Sequence, residues 1–264
     1  MSGVPTNAPV EITRHAGWAV IRIAREAKRN SMNRETRKAL REAFDSLANE
    51  ARAIVLTGTG VAFCAGLDLK EREADQKAGL AGAADEEWIA LNVAIREHPS
   101  IFIAAVNGIA LGGGATLINV CDLAIASTEA SIGCPEMGFA MYPAMAGPAT
   151  QLMLPRKRAA WLVLTTNRID GATAEKWGMV NEVVDADRLL ERAGEIAAQI
   201  AKFDPVALAE AKKALDQVPA NITGWREAMD YGQAVNATIR SKTDATREGL
   251  ALFAAGKRNP GQGV

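Results

Sequence analysis

Three consecutive glycines, Gly112-Gly113-Gly114, close the stretch Asn107-Gly108-Ile109-Ala110-Leu111 that follows an apolar run at residues 101–106. Glycine loses more backbone freedom on ordering than any other residue, so a run of three is kept where a Cβ would clash or where φ must be positive. The stretch reads as a cradle whose backbone comes close to a ligand and whose N–H groups face it. Residues 54–67 and 101–114 share one order: strand, glycine-bearing turn, helix. Ligands of α/β folds gather where such loops converge at strand ends.

What the cradle holds is narrowed by composition. With 264 residues, 48% of them hydrophobic, the chain can bury a large core as one substantial domain or a domain with a small appendage. Thirty basic residues against thirty-one acidic ones give a net charge of −1, which offers no footprint for nucleic acid or an anionic membrane surface. An anionic ligand must then be held by local groups. Cys64, Cys121 and Cys134 are far apart, form no C-x-x-C pair and have no histidine cluster beside them, so reduced thiols in a cytoplasmic protein and no metal site are expected. His15 and His98 fit no Ser or Cys triad pattern, and a serine-type hydrolase lacks its Ser/His pair. Residues 1–9 are polar with two prolines, and no apolar run reaches the length of a membrane span, so neither export nor insertion is expected.

Taken in order, residues 10–24 read as a hairpin turning at His15-Ala16-Gly17, and residues 25–33 as irregular chain. Leu40, Phe44 and Leu47 share one face of a helix over 34–49, with Asn33 as its N-cap. A buried strand over 52–57 ends in Gly58-Thr59-Gly60. The charged, alanine-rich chain from Glu71 to Glu87, with Gly79 and Gly82, reads as a mobile surface excursion. A helix over 88–97 stops at His98-Pro99, strands follow at 101–106 and 122–126, and a short helix starts after Gly114. Beyond Pro155 the pattern turns helical: 157–164, 172–177 with Gly178 as C-cap, 187–203, 205–215, 225–239 and 246–255.

Five segments in this order, Phe63-Cys64-Ala65-Gly66-Leu67-Asp68-Leu69, Asn107 through Gly114, Cys121-Asp122, Pro135-Glu136, and Phe253 with Lys257-Arg258, resemble the crotonase (enoyl-CoA hydratase/isomerase) family across nearly the whole chain. The resemblance implies an α/β fold, a crotonase-like spiral of ββα units with a helical C-terminal region. Residues 1–200 would form the spiral core with the CoA and acyl site, and residues 201–264 a helical trimerisation region. It implies a homotrimer or dimer of trimers, an acyl-CoA thioester as substrate, and no cofactor beyond the coenzyme A of that substrate.

By the same resemblance, the N–H groups of Leu67 and Gly113 form an oxyanion hole and Glu136 is the catalytic base. Removing a proton beside a thioester puts charge on the carbonyl oxygen, and preorganised donors stabilise that enolate more than the ground state. Losing one such donor costs about 3–4 kcal/mol. Cys134, Met137 and Phe139 around Glu136 suggest partial burial, which would raise its pKa and make it a better base. Enoyl-CoA hydratases carry a second glutamate two residues past the glycine triplet, where this chain has Thr116. One carboxylate suits moving a proton between two carbons, as in the family's isomerases; it also suits the hydroxycinnamoyl-CoA hydratase-lyases, which add an aromatic hydroxyl. Tyr142 and Tyr231, the two tyrosines, are candidates for that hydroxyl, with packing as the alternative role. Lys28 and Arg29 match the CoA-proximal loop, the Ala65 backbone would meet adenine, and Lys257 would reach a phosphate across a subunit boundary; the plainer alternative for these cations is solvated surface charge. Asp68, on the substrate-facing loop, and Asp122 fit turn-fixing hydrogen bonds. A non-catalytic acyl-CoA-binding protein is the remaining alternative, against which Glu136 speaks.

Overall fold

A computed structural model describes residues 8–258. The opening hairpin pairs β1 (Val10–His15) with β2 (Trp18–Ile23) around Gly17, whose φ of 76° a side chain would resist. From β2 onward the strands run parallel: β3 (Ala53–Gly58), β5 (Ile101–Val106), β7 (Leu123–Ser127) and β10 (Glu182–Val184) extend the first sheet in the order β1-β2-β3-β5-β7-β10. All six residues of β3 are buried, as expected for a strand covered on both faces.

Three of these strands each run on into a three-residue strand of a second sheet. β3 leads to β4 (Ala62–Cys64), β5 to β6 (Ile109–Leu111) and β7 to β8 (Ser131–Gly133), and β9 (Ile169–Asp170) closes the order β4-β6-β8-β9. The repeat read from sequence is therefore ββα, with its second strand too short to register as a period. Two asparagines hold the corners. Asn107 accepts from Gly58 N at 3.1 Å and donates to Gly60 O at 2.8 Å, and the fully buried Asn30 donates to Ala62 O at 2.6 Å.

Helix α1 (Arg34–Leu47) begins at Asn33, whose side chain accepts from Thr36 N at 3.0 Å, and it buries Leu40, Phe44 and Leu47. Residues 71–87 are not a loose excursion. They form α2 (Leu69–Lys77), a turn at Gly79, and the first two turns of α3 (Ala81–Glu97). The reason they escaped the periodicity is that α2 buries Asp75 and no apolar side chain. Ion pairs hold it instead: the buried Arg37 reaches Glu71 at 3.3 Å and Glu87 at 2.9 Å, and Arg34 reaches Asp75 at 3.4 Å.

After β6 comes α4 (Gly113–Val120), then α5 (Ala146–Met153), which periodicity did not reveal, α6 (Arg156–Thr165) and α7 (Gly171–Trp177), ended by Gly178 at φ 81°. Leu189, Ala193 and Ala197 of α8 (Leu189–Ile200) pack against Val55, Ile103 and Ile125 on the other face of the first sheet. Next, α9 (Pro205–Asn221) is pinned to the core by Lys212 and runs on past the Leu215 end read from sequence, α10 (Trp225–Lys242) starts where the sequence reading placed it and ends beyond Ile239, and α11 (Ala245–Ala254) matches its reading to within one residue at each end. No described helix is long and apolar enough to cross a membrane, and no group of three or more His, Cys, Asp or Glu among the described residues could hold a metal ion.

Candidate active site

In the second sheet β6 lies between β4 and β8, so the segments leaving their carboxyl ends are neighbours. Those segments are Ala65-Gly66-Leu67, Gly112-Gly113 and Cys134-Pro135-Glu136. The first is fixed by Met32, which forms a parallel bridge with Leu67: Met32 N donates to Gly66 O at 2.8 Å, and Asp68 N donates to Met32 O at 3.0 Å. In that pattern the flanking residues take Met32's groups, and the N–H of Leu67 is turned the other way. Gly66 stands at φ 93°, and a Cβ on it would lie 2.8 Å from Leu111 O and 3.3 Å from Gly113 N. The Gly66 backbone and the first residue of α4 thus leave no room for a side chain between them. Gly113 N–H belongs to the opening turn of that helix, whose first donors have no acceptor within the helix.

Glu136 completes the junction. Gly112 sits at φ 52° and a Cβ there would come 2.6 Å from Glu136 Oε1, so conformation and space both demand glycine. Glu136 Oε2 is buried with no hydrogen-bond partner among the described residues. Burial raises the Glu136 pKa above the ordinary carboxylate range, opposed by its own backbone N–H. The loop bearing it is anchored two residues back at the fully buried Cys134, whose thiol burial and the nearby Glu136 push up to about 12. The Thr150 hydroxyl of α5 lies beside that thiol and accepts from Asn119 Nδ2 of α4 at 3.1 Å. A buried polar chain therefore ties the helix that starts at Gly113 to the loop that carries Glu136.

Thr116 is buried, and its hydroxyl donates to Gly112 O at 3.3 Å, one turn back in its own helix. It brings no carboxylate to the junction. The arrangement is a junction of glycine-bearing segments with a single desolvated carboxylate against Gly112, and backbone donors beside a lone carboxylate suit charge building on an oxygen while a proton leaves a neighbouring carbon.

The sequence matches the enoyl-CoA hydratase/isomerase family over residues 13–261. The chain belongs to that family. It is 34% identical over 254 residues to a probable mitochondrial enoyl-CoA hydratase 2 of Arabidopsis thaliana, covering 93% of this chain and 81% of that protein. It is 30% identical over 258 residues to the 2,3-dehydroadipyl-CoA hydratase of Escherichia coli, covering 94% and 96%. A crystal structure of an enoyl-CoA hydratase from Bacillus anthracis superposes with a TM-score of 0.86 at 30% identity, covering 97% of this chain and all of that one. The fold is the crotonase fold, and the protein is an acyl-CoA-processing enzyme of the enoyl-CoA hydratase/isomerase family.

The other residues singled out from sequence divide into two groups in this family member. Lys28 and Arg29 are exposed in and just after a 3-10 turn (Glu26–Lys28), and Arg29 O accepts from Ala65 N at 3.0 Å, so this basic loop lies against the Ala65-Gly66-Leu67 segment. Asp68 caps α2 by accepting from Lys70 N at 3.2 Å and pairs with Arg25 at 3.1 Å; those contacts hold its carboxylate below its ordinary pKa despite the opposing burial. Tyr142 is half exposed on the chain between Glu136 and α5, with its hydroxyl accepting from Gln151 Nε2 at 2.8 Å. Tyr231 and Lys257 belong to the other group: they lie on α10 and just after α11, and α10 packs chiefly on α9, α11 on α10. Sequence reasoning assigned no role to Asn30, Asn107, Trp88, Asn119 or Thr150. Asn30 carried one usable signal, since asparagine tolerates the left-handed φ of 57° it adopts.

Proposed function

We propose that Glu136 is the sole acid/base of this site and acts on an acyl-CoA whose thioester oxygen lies between the N–H groups of Leu67 and Gly113. The carboxylate takes a proton from carbon 2 of a 3-enoyl-CoA; the electron pair spreads over the dienolate to the oxygen, and the same carboxyl returns the proton to carbon 4. The product is the 2-enoyl-CoA, with no water consumed. One observation carries this reading: the Glu136 carboxylate sits against Gly112 with Oε2 buried and unpartnered, while Thr116 is turned into its own helix. A raised pKa fits a group that must accept and return one proton near neutral pH. Lys28, Arg29 and, from a neighbouring subunit of a trimer or dimer of trimers, Lys257 meet the CoA phosphates, and the Ala65 backbone meets the adenine. Tyr142 and Thr116 border the acyl group, whereas Tyr231, on α10, stands apart from this junction within the chain.

Hydration is the second reading, favoured by the names of the relatives. It requires a group besides Glu136 to hold and orient water. The test is a panel of 3-enoyl-CoA, 2-enoyl-CoA and hydroxycinnamoyl-CoA assayed for isomerisation, hydration and aldehyde release. Isomerisation with kcat/KM at least tenfold above the other two is expected; dominant hydration or aldehyde release would overturn the single-proton assignment.

A further inference from the structure

Away from the junction, a cavity of about 370 Å³ opens between α1 and α3, two helices that pack side by side. Its size is within the range of small-molecule sites, about 300–1,000 Å³. None of Leu67, Gly113, Glu136, Lys28 and Arg29 lines it. The α1 wall is Arg34, Arg37, Lys38 and Arg41, spaced three or four residues apart and so sharing one face of that helix. Across from them, α3 contributes Glu87, Ala90 and Leu91.

Depth sorts these groups. Arg37 is 5% exposed and Leu91 3%, so they form the floor, whereas the Lys38 and Arg41 side chains are 77% and 54% exposed at the mouth. The inner cations are already matched: Arg37 pairs with Glu71 and Glu87, and Arg34 with Glu87 and Asp75. Lys38 and Arg41 hold only Glu42 at 3.9 Å and Asp45 at 3.1 Å, each one turn along the same helix and exposed. Such pairs contribute little and are readily exchanged for another carboxylate. Between mouth and floor the methylene stems of the long cations lie beside Ala90 and Leu91, which makes the passage apolar.

A ligand that matches this cavity has an apolar body and one negative charge at one end. A neutral chain leaves the two outer cations unused, a bare anion leaves Ala90 and Leu91 uncovered, and a dianion carries its second charge towards Glu87. We infer that the groove between α1 and α3 is a binding site, separate from the acyl-CoA junction, for a small amphiphilic monocarboxylate of the free fatty acid class. Its carboxylate sits on Lys38 and Arg41, and its chain lies over Ala90 and Leu91.

The test is isothermal titration of octanoate, octanol and octylamine into the full-length protein, both free and saturated with butyryl-CoA, and into two variants. One octanoate per chain should bind at least tenfold more tightly than octanol or octylamine, with or without butyryl-CoA, and more weakly as NaCl is raised. The double variant Lys38→Gln/Arg41→Gln, altered only at exposed side chains, should lose octanoate affinity at least tenfold while its affinities for octanol and butyryl-CoA stay within about twofold. Ala90→Trp, also at an exposed position, fills the passage and should remove octanoate and octanol binding alike. Absence of octanoate binding, its loss on saturation with butyryl-CoA, or an affinity unchanged in both variants would overturn the site. Failure of butyryl-CoA itself to bind would instead refute the acyl-CoA reading and leave the octanoate result standing.

Discussion

Asp122 and Glu136 are both carboxylates held largely away from solvent, one just before β7 and the other just after β8, yet their surroundings are opposite. Asp122 accepts from Phe102 N at 2.8 Å, pairs with Lys212 at 2.9 Å and has Arg96 at 3.7 Å. Lys212 in turn is 2% exposed and spends its other two protons on Ile95 O at 2.7 Å and Ser100 O at 2.9 Å. Around Glu136 there is no cation within salt-bridge distance among the described residues, and one oxygen accepts nothing from them. A carboxylate paired with cations and a backbone N–H holds α9 on the sheet; one left short of partners has the basicity that the proposed function requires. The difference separates the two roles more clearly than burial does.

Breaking the structural half should have the largest effect on stability. Asp122→Asn strands the buried Lys212 ammonium, and a loss of about 3–5 kcal/mol in urea unfolding is expected, with acyl-CoA affinity of the folded protein unchanged. A stability change below about 1 kcal/mol would erase the contrast. In the reacting half, Gly66→Ala places a Cβ against Leu111 O at a φ of 93° and displaces the Leu67 donor. Turnover should fall about 100-fold with a smaller change in KM, the effect of one lost oxyanion donor. Smaller again is Thr150→Val, which removes the acceptor of Asn119 and the neighbour of Cys134. A roughly tenfold lower kcat, an altered pH profile, unchanged KM and recovery in Thr150→Ser are expected if Thr150 positions Glu136.

The smallest effect is on the pH dependence of stability. Burial raises the folded-state pKa of Glu136 above its unfolded value. Its contribution to stability is therefore fully present below the unfolded pKa and is lost as pH rises through the folded one. Glu136→Gln removes that slope, so the variant's Tm should gain on the native protein's as pH climbs from 4 to 8. A Tm difference independent of pH would mean that Glu136 is solvated like a surface acid. The kcat/KM of the native enzyme should rise with pH over the same window, as the base loses its proton.

Much of this contrast was written in local sequence. The glycine triplet, Gly66 and Pro135-Glu136 each report a backbone constraint or a charge out of place, and these leave marks in single residues. The buried strands β3 and β5 were legible because six apolar or small residues in a row leave little alternative. Three-residue strands such as β4, β6 and β8 carry too few side chains to show a period. Helix α2 stayed hidden because arginines from α1 hold it, and an ion pair between distant segments has no local pattern. For the same reason the pairing of Asp122 with Lys212 and the meeting of Trp88 with Gly113 required three dimensions.

The central claim is that one unpaired carboxylate does the proton chemistry. Its most direct measurement is deuterium exchange at carbon 2 of a bound, non-isomerising acyl-CoA in D2O, compared between the native enzyme and Glu136→Gln at equal saturation. The native enzyme should exchange that proton, and the variant should be slower by about 10³-fold while binding the thioester within about threefold. Exchange at an undiminished rate in Glu136→Gln would contradict the assignment.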